Sequence, residues 1–113
     1  MLVLMIVVSK DIVPKHYLAI TIWPFIFVKK QAFKKDVILL NHERIHYKQQ
    51  IELLVIPFFI LYLLEFIYGI IKFKSSRQAY RQISFEREAY TNENNLNYLK
   101  SRLFWNFKNY YKG

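Results

Sequence analysis

The chain contains no cysteine among its 113 residues. Disulfide bonds and thiolate metal ligands are therefore excluded, and with them zinc ribbons and iron–sulfur clusters. Any metal must be held by histidine nitrogen and carboxylate oxygen, a donor set that suits zinc. The absence leaves the redox compartment undetermined, although a reducing cytoplasm is compatible with it.

Acidic residues are also scarce, because eight of them face seventeen lysines and arginines, which gives a formal net charge of +9. Hydrophobic residues nevertheless make up 54% of the chain and aromatic residues 19%. A soluble nucleic-acid-binding protein is seldom this apolar, whereas a protein on an anionic membrane surface is both basic and apolar. The composition therefore predicts a membrane surface as a partner and argues against nucleic acid.

The first apolar run, residues 1–8, lacks both the basic segment and the small-residue cleavage site of a signal peptide. It is too short to cross a bilayer, and its valines and isoleucines predict a buried strand. A second apolar segment, residues 17–28, contains Pro24 near its middle. Proline cannot donate to a sheet ladder, so this segment is either two short strands or one bent edge strand, with unpaired backbone groups near residues 23–28.

Residues 41–47 contain the pattern His-Glu-x-x-His within a segment that reads as a helix. His42 and His46 are four residues apart, so they lie on one helical face with Cβ atoms roughly 6 Å apart. Both imidazoles can then bind one zinc ion. Glu43 stands in the position of a general base acting on a water that the metal activates. The alternative is that the three side chains only decorate a polar helix face.

The helix that carries this motif is predicted to run from residue 37 to residue 56, with Asp36 as its N-cap and Pro57 as its interruption. An apolar segment near residues 51–74 follows, and we expect it to associate with a membrane. A single crossing would separate the histidines from any later ligand by about 30 Å. We therefore expect the segment to fold back on itself, with Pro57 and Gly69 as the points of reversal.

Two further helices are predicted in the last third of the chain. The first is capped by Ser75 or Ser76, and the second runs from Ser84 to about Leu103. The tail, residues 104–112, interleaves aromatic with basic side chains. Such a tail is suited to a membrane interface or to stacking on single-stranded nucleic acid, and it can also simply pack onto the core.

These features resemble the gluzincin group of zinc peptidases, in which a His-Glu-x-x-His helix is followed by a helix with a ligand glutamate. Residues 86–90 are similar to the Glu-x-x-Ala-Asp motif of the CAAX prenyl endopeptidase family, with Tyr90 in place of the aspartate. Over most of residues 40–90 the chain is also similar to short uncharacterised bacterial proteins with His-Glu-x-x-His-x-x-Gln and Phe-Glu-x-Glu-Ala.

The resemblance implies a role for each residue of the motif. His42 and His46 are ligands of zinc, Glu86 is the third ligand, and Glu43 is the catalytic base. Zinc peptidases of the thermolysin kind also bind an extended substrate along a strand edge beside the active-site helix. The predicted unpaired backbone groups near residues 23–28 would serve that purpose.

Glu65 is a second candidate for the third ligand, because its spacing from His46 is like that of some zinc aminopeptidases. Its neighbours in sequence are apolar, however, and an isolated carboxylate there is expected to be protonated or hydrogen-bonded, in a position from which it could orient a ligand histidine. Glu86 has polar neighbours in Arg87, Glu88 and Asn92. We therefore expect Glu86, rather than Glu65, to complete the site.

The sequence thus predicts one domain over residues 1–113. Its expected fold is α+β, mainly helical and minimal zincin-like, with short N-terminal strands and the motif helix facing a second, glutamate-bearing helix. The expected function is zinc-dependent hydrolysis of peptide or protein substrates at or near a membrane, on its cytoplasmic side. The alternatives are a non-catalytic scaffold stabilised by zinc and an interaction module without metal.

Overall fold

A computed structural model of the chain describes residues 5–111. The fold is α+β and mainly helical, as predicted. The strands are β1 (Met5–Val8), β2 (Ala19–Ile22) and β3 (Phe25–Val28). The α-helices are α1 (Val37–Leu53), α2 (Val55–Phe73), α3 (Ser76–Gln82), α4 (Ser84–Asn92) and α5 (Tyr98–Ser101), and short 3-10 helices cover Gln31–Lys35 and Asn106–Tyr110. A strand within residues 1–8 is observed as β1, and residues 1–4 lie outside the described part of the chain. The prediction that this strand is buried is wrong, because β1 lies at an edge of the sheet and its Met5, Val7 and Val8 are exposed.

The strands form one small sheet in the order β1-β3-β2. β1 runs parallel to β3, and β2 runs antiparallel to β3 after a two-residue turn at Trp23 and Pro24. The prediction of two short strands is therefore confirmed. The prediction of unpaired backbone groups near residues 23–28 is wrong, because β3 is the central strand and is paired on both sides. β2 is the edge strand that lies against α1.

Helix α1 begins where its sequence predicts, since the Asp36 carboxylate accepts a 3.0 Å hydrogen bond from the Leu39 backbone N–H. It ends at Leu53, a few residues earlier than expected, and Leu54 adopts a positive φ of 64°. Pro57 does not reverse the chain. It lies in the first turn of α2, where a helix leaves backbone N–H groups without partners and proline is tolerated.

Helix α2 continues unbroken through Gly69, so the predicted reversal at that residue is also wrong. The chain turns instead at Lys74, whose backbone is left-handed, and α3 then begins at its predicted cap, Ser75. Gly69 has a different use. A Cβ built on it would lie 2.9 Å from both the Cα and the Cβ of Ala79, so the glycine allows α3 to pack closely on α2.

The predicted helix from Ser84 to Leu103 is divided into α4 and α5. The separating turn is rich in asparagine, a residue whose side chain competes with the helical backbone for hydrogen bonds. Asn95 illustrates this competition, because its side-chain oxygen accepts a 3.1 Å bond from the Asn97 backbone N–H. The turn leads the chain back towards the N-terminal half of α1, where the Asn41 side chain donates to backbone carbonyls of Asn92, Glu93 and Asn95.

Three apolar clusters surround the polar centre of the described chain. One joins the sheet to α1, a second joins α2 to α4, and a third lies between α1 and α4. The C-terminal tail contributes Phe107 to the second cluster, where the ring centroids of Phe107 and Phe85 are 4.6 Å apart. Part of the tail therefore packs onto the core, while Phe104 and Trp105 remain exposed.

Candidate metal centre

The two histidines of the motif project from one face of α1 into the interior of the protein. His42 and His46 are each 6% exposed, and their Nε2 atoms are 3.1 Å apart. This convergence follows from their four-residue spacing on a regular helix. The two imidazoles thus present the same ring nitrogen to a common point.

Glu86 reaches the same point from α4. Its Oε1 lies 3.2 Å from Nε2 of His42 and 3.1 Å from Nε2 of His46, and the residue is 4% exposed. Its other oxygen, Oε2, accepts a 2.7 Å hydrogen bond from the hydroxyl of Tyr62 on α2. The tyrosine therefore holds one carboxylate oxygen and leaves Oε1 directed at the histidines.

The outer nitrogen of each imidazole also has a partner. Nδ1 of His42 lies 2.7 Å from Oε1 of Glu93, and Nδ1 of His46 lies 2.8 Å from Oε1 of Gln49. Both partners accept a hydrogen bond, so each imidazole, when neutral, is expected to carry its hydrogen on Nδ1 and a lone pair on Nε2. Metal-ligating histidines are commonly fixed in this way.

In the sequence, Tyr90 occupies the position at which the similar family has an aspartate. The Tyr90 ring instead packs edge-on against His42, with ring centroids 4.4 Å apart. Glu93 supplies the supporting carboxylate. Because Glu93 lies two helical turns beyond Glu86, its helical spacing was a signal that could have identified it. No pattern in the sequence indicated Tyr62, since a tyrosine within an apolar segment is typical of a core residue.

The three side chains His42, His46 and Glu86 can hold a metal ion. A tetrahedral zinc ion with bonds of about 2.0–2.1 Å separates its ligand atoms by about 3.3 Å. The three contacts among the ligand atoms, at 3.1 to 3.2 Å, are close to that separation. The donor set of two imidazole nitrogens and one carboxylate oxygen also matches three-ligand zinc sites that keep a fourth position open.

The electrostatics at this point favour a positive charge. Burial lowers the pKa of His46, but the charge of Glu86 and its hydrogen bond outweigh that effect and raise the pKa to about 9. Burial raises the pKa of Glu86, and the neighbouring His46 and His42 reverse this and hold the pKa well below its usual range. A carboxylate that stays ionised in a buried site requires a neighbouring positive charge, which either a protonated histidine or a metal ion can supply.

Glu43 lies beside the three potential ligands and is 5% exposed. Its Oε1 accepts a 2.8 Å hydrogen bond from the hydroxyl of Thr21 on β2, and the same hydroxyl lies 3.0 Å from the Glu43 backbone oxygen. Burial raises the pKa of the Glu43 carboxyl, and the nearby histidines partly offset the rise. Thr21 therefore orients Glu43, a contact that the sequence did not indicate.

A cavity of about 300 Å³ opens onto Glu43 and the three potential ligands. Edge strand β2 lines one wall, and α2 lines another through Phe58, Phe59 and Tyr62. Its more exposed lining residues are mostly apolar, and they include Tyr17, Ile22 and Phe59. The cavity therefore joins a polar centre to an apolar rim.

Glu65, the alternative third ligand, does not join this group. Both of its carboxylate oxygens are bonded to Ser84, at 2.7 Å from the backbone N–H and 2.9 Å from the hydroxyl. The polar neighbours that favoured Glu86 in the sequence also separate in space. The Arg87 guanidinium donates to the Tyr110 backbone carbonyl, and the Glu88 carboxylate accepts from the side-chain amide of Gln49.

Glu88 begins a buried polar network that continues from the candidate centre. Gln49, which accepts from His46, donates a 2.9 Å bond to Oε1 of Glu88. The guanidinium of Arg102 then joins Glu88 to Glu52, with 2.6 Å between Nη1 and Oε2 of Glu52. A chain of hydrogen bonds therefore links His46 to the buried ion pairs of Arg102 with Glu88 and Glu52.

Comparison of the chain with models of protein families, with curated proteins and with solved structures finds no match. The functional interpretation therefore depends on the geometry of the site itself.

Proposed function

We propose that the protein is a zinc-dependent metallopeptidase that hydrolyses peptide bonds in peptide or protein substrates at a membrane. The observation that carries this proposal is the meeting of His42, His46 and Glu86 at one buried point, with Glu43 in the same cavity. This constellation resembles that of a zincin, in which a His-Glu-x-x-His helix faces a helix with a ligand glutamate. The gluzincin resemblance of the sequence supports the same assignment.

His42, His46 and Glu86 would hold zinc through Nε2, Nε2 and Oε1. When bound there, zinc supplies Lewis acidity, which polarises a peptide carbonyl and lowers the pKa of water. Glu93 and Gln49 keep the two imidazoles in the required tautomer, and Tyr62 keeps Glu86 directed inwards. These contacts make the donor set rigid before substrate arrives.

Glu43 is the residue to which we assign proton transfer. Thr21 donates to Oε1, so Oε2 is the oxygen that takes a proton from the attacking water. As the new C–O bond forms and the C–N bond breaks, Oε2 passes that proton to the departing amine nitrogen. Burial, which raises the pKa of Glu43, brings it closer to the range needed for accepting and returning a proton near neutral pH.

Edge strand β2 offers a binding site for an extended substrate. Gln50 already bonds to the edge at its far end, through the Thr21 carbonyl at 2.8 Å and the Trp23 N–H at 2.7 Å. Because the Thr21 carbonyl is occupied in this way, we assign substrate pairing to the beginning of the edge at Ala19, which lines the cavity. An extended peptide there would pass beside Glu43.

We assign the protein to a membrane, on its cytoplasmic side. Among the described residues, α2 is the one helix long and apolar enough to cross a membrane by length and composition. The excess of basic residues suits the anionic lipid of a cytoplasmic leaflet.

A non-catalytic scaffold is the second candidate function. The ligands come from two helices, α1 and α4, so a metal ion would clamp them together even without chemistry. Metal analysis of protein purified without a histidine tag, combined with cleavage assays in detergent, separates the two. We expect about one zinc per chain and peptide cleavage that a chelator abolishes and zinc restores. Zinc binding without cleavage of any peptide or lipoprotein substrate would favour the scaffold, and absence of bound metal would refute both.

A further inference from the structure

The outer face of α2 is a row of large apolar side chains that no other described part of the chain covers. Ile56, Leu63 and Ile71 are 72%, 55% and 71% exposed. Between Val55 and Ile71 the only charged residue is Glu65, which is turned inwards to Ser84. Monomeric soluble proteins seldom expose large continuous apolar patches, and such patches mark interaction sites.

The C-terminal loop lies close to the start of α2. The backbone N–H and the indole N–H of Trp105 donate to Glu52, at 3.1 and 3.2 Å, and so fix the loop next to the junction of α1 and α2. Leu103 and Phe104, just before Trp105, are exposed. We call the outer face of α2 together with Leu103, Phe104 and Trp105 the apolar surface.

We propose that the apolar surface docks the protein on an anionic lipid bilayer, with α2 lying in the plane of the membrane. Charge identifies the occupant. Lys72, Lys74 and Arg77 follow directly at the C-terminal end of α2, are exposed, and suit anionic headgroups. A second copy of the chain would instead bring two molecules of net charge +9 together.

The inner face of α2 explains why the helix lies flat rather than crossing the bilayer. Along its length it is bound to the rest of the protein, through Tyr62 to Glu86, through Glu65 to Ser84, and by the close approach of Gly69 to Ala79. A crossing would carry α3, with its exposed Arg77, Gln78 and Arg81, into hydrocarbon. An in-plane helix immerses only its outer face, by about 5–10 Å.

The position of the cavity gives this orientation a consequence for the substrate. Phe59 belongs both to the apolar surface and to the rim of the cavity. Docking would therefore bring the mouth of the cavity to the level of the headgroups. Provided that the proposed peptidase activity is correct, the substrate is a peptide segment at the membrane interface.

Flotation with lipid vesicles tests the docking surface. The 113-residue protein is diluted from detergent into vesicles of phosphatidylcholine, with or without phosphatidylglycerol. We expect binding that is stronger with phosphatidylglycerol, and a loss of at least about tenfold in partitioning for the double variant Ile60→Gln with Leu63→Gln, because binding scales with buried apolar area. Val37→Gln with Leu96→Gln is the matched control, since both residues are exposed and apolar but lie outside the apolar surface. Its binding should equal that of the wild type.

Depth measurements test the orientation. The chain has no native cysteine, so the single substitutions Ile56→Cys, Leu64→Cys and Ile71→Cys accept a fluorophore at one defined site each. Quenching by brominated lipids should report similar, shallow depths for all three. A deep central position between two shallow ends would indicate a crossing and overturn the proposal.

Two further results would overturn the docking surface. One is equal vesicle binding by the wild type and the Ile60→Gln/Leu63→Gln variant, and the other is a stable dimer that does not bind vesicles. The same variant should retain its metal content and its cleavage of a soluble peptide in detergent, because neither residue lines the cavity. A protein that docks on vesicles but never cleaves peptide would refute the proposed function and leave the docking surface intact.

Discussion

Both carboxylate oxygens of Glu65 accept hydrogen bonds from Ser84, the first residue of the helix that carries Glu86. A carboxylate at this position satisfies a backbone N–H that the start of a helix leaves without a partner, and it also interacts favourably with the helix dipole. The two glutamates that competed for the role of third ligand therefore have different tasks. Glu65 fixes the start of α4, and α4 directs Glu86 to the histidines.

Substitution of each glutamate should separate these tasks. We expect Glu86→Ala to lower zinc affinity by far more than the roughly 10- to 100-fold typical of residues that only support a ligand. Glu65→Ala should remain within that range, because it loosens α4 without removing a donor atom. Titration against a chelating dye measures both. A larger loss of affinity for Glu65→Ala than for Glu86→Ala would contradict the assignment.

The sequence predicted the three potential metal ligands better than the residues that orient them. The four-residue spacing of His42 and His46 fixes their common face on any regular helix, so that part needed only a helix. Glu86 could be favoured over Glu65 from its polar neighbours, although those neighbours do not in fact surround it. Thr21 and Tyr62 reach the site from β2 and α2 through long-range packing, which no local pattern encodes.

The fold, like the site, was predictable from the sequence where the signals are local. Caps such as Asp36 and Ser75 are local signals, and both were correct. The predictions of reversal at Pro57 and Gly69 are wrong because both residue types have a second use. Proline can end a helix but is tolerated in its first turn, and glycine can end a helix but also allows two helices to pack closely. The helices instead end at Leu54 and Lys74, two residues with positive φ, a conformation that their residue types ordinarily avoid and that the sequence therefore does not predict.

Glu43→Gln should retain metal and lose peptidase activity. The amide is nearly the same size and can still accept from Thr21 through its oxygen, but it cannot take a proton from water. We expect activity to fall by at least about 10²-fold, in the range of lost general-base catalysis. Metal content by mass spectrometry and cleavage of the same substrate are measured together.

His46→Ala is the comparison for that experiment, because it removes a ligand atom and should abolish both metal and activity. Loss of metal from Glu43→Gln would instead mean that Glu43 is itself a ligand. Undiminished cleavage by Glu43→Gln would exclude it as the base.

Glu93→Ala should weaken metal binding by about 10- to 100-fold, because His42 would lose the acceptor that fixes its tautomer. Glu93→Gln is the matched control. Its side-chain oxygen can still accept from Nδ1, so zinc affinity should stay close to that of the wild type. Equal affinities for the wild type and Glu93→Ala would show that Glu93 does not orient His42.

Arg102→Ala should strongly destabilise the fold. The side chain of Arg102 is 1% exposed and is paired with Glu88 and Glu52, whose side chains are 0% and 3% exposed. Removing it leaves two buried carboxylates without their counter-ion, a change that typically costs about 3–5 kcal/mol. Thermal unfolding in detergent measures the loss. Arg87→Ala is the control, because Arg87 is only partly buried and donates to the Tyr110 backbone carbonyl, and its loss should cost about 1–3 kcal/mol.

Gly69→Ala should also lower stability, although alanine is the better helix former by about 1 kcal/mol. The added Cβ would lie 2.9 Å from the Cα of Ala79, and a backbone atom can yield only if α3 moves as a whole. Overpacking of this kind costs about 1–3 kcal/mol, so the clash is expected to outweigh the gain in propensity. Tyr68→Ala, at the neighbouring and exposed position of α2, gains propensity without a clash and should unfold at or above the wild-type temperature. If Gly69→Ala were the more stable of the two, α2 and α3 could not be in the close contact on which the position of α4, and hence of Glu86, depends.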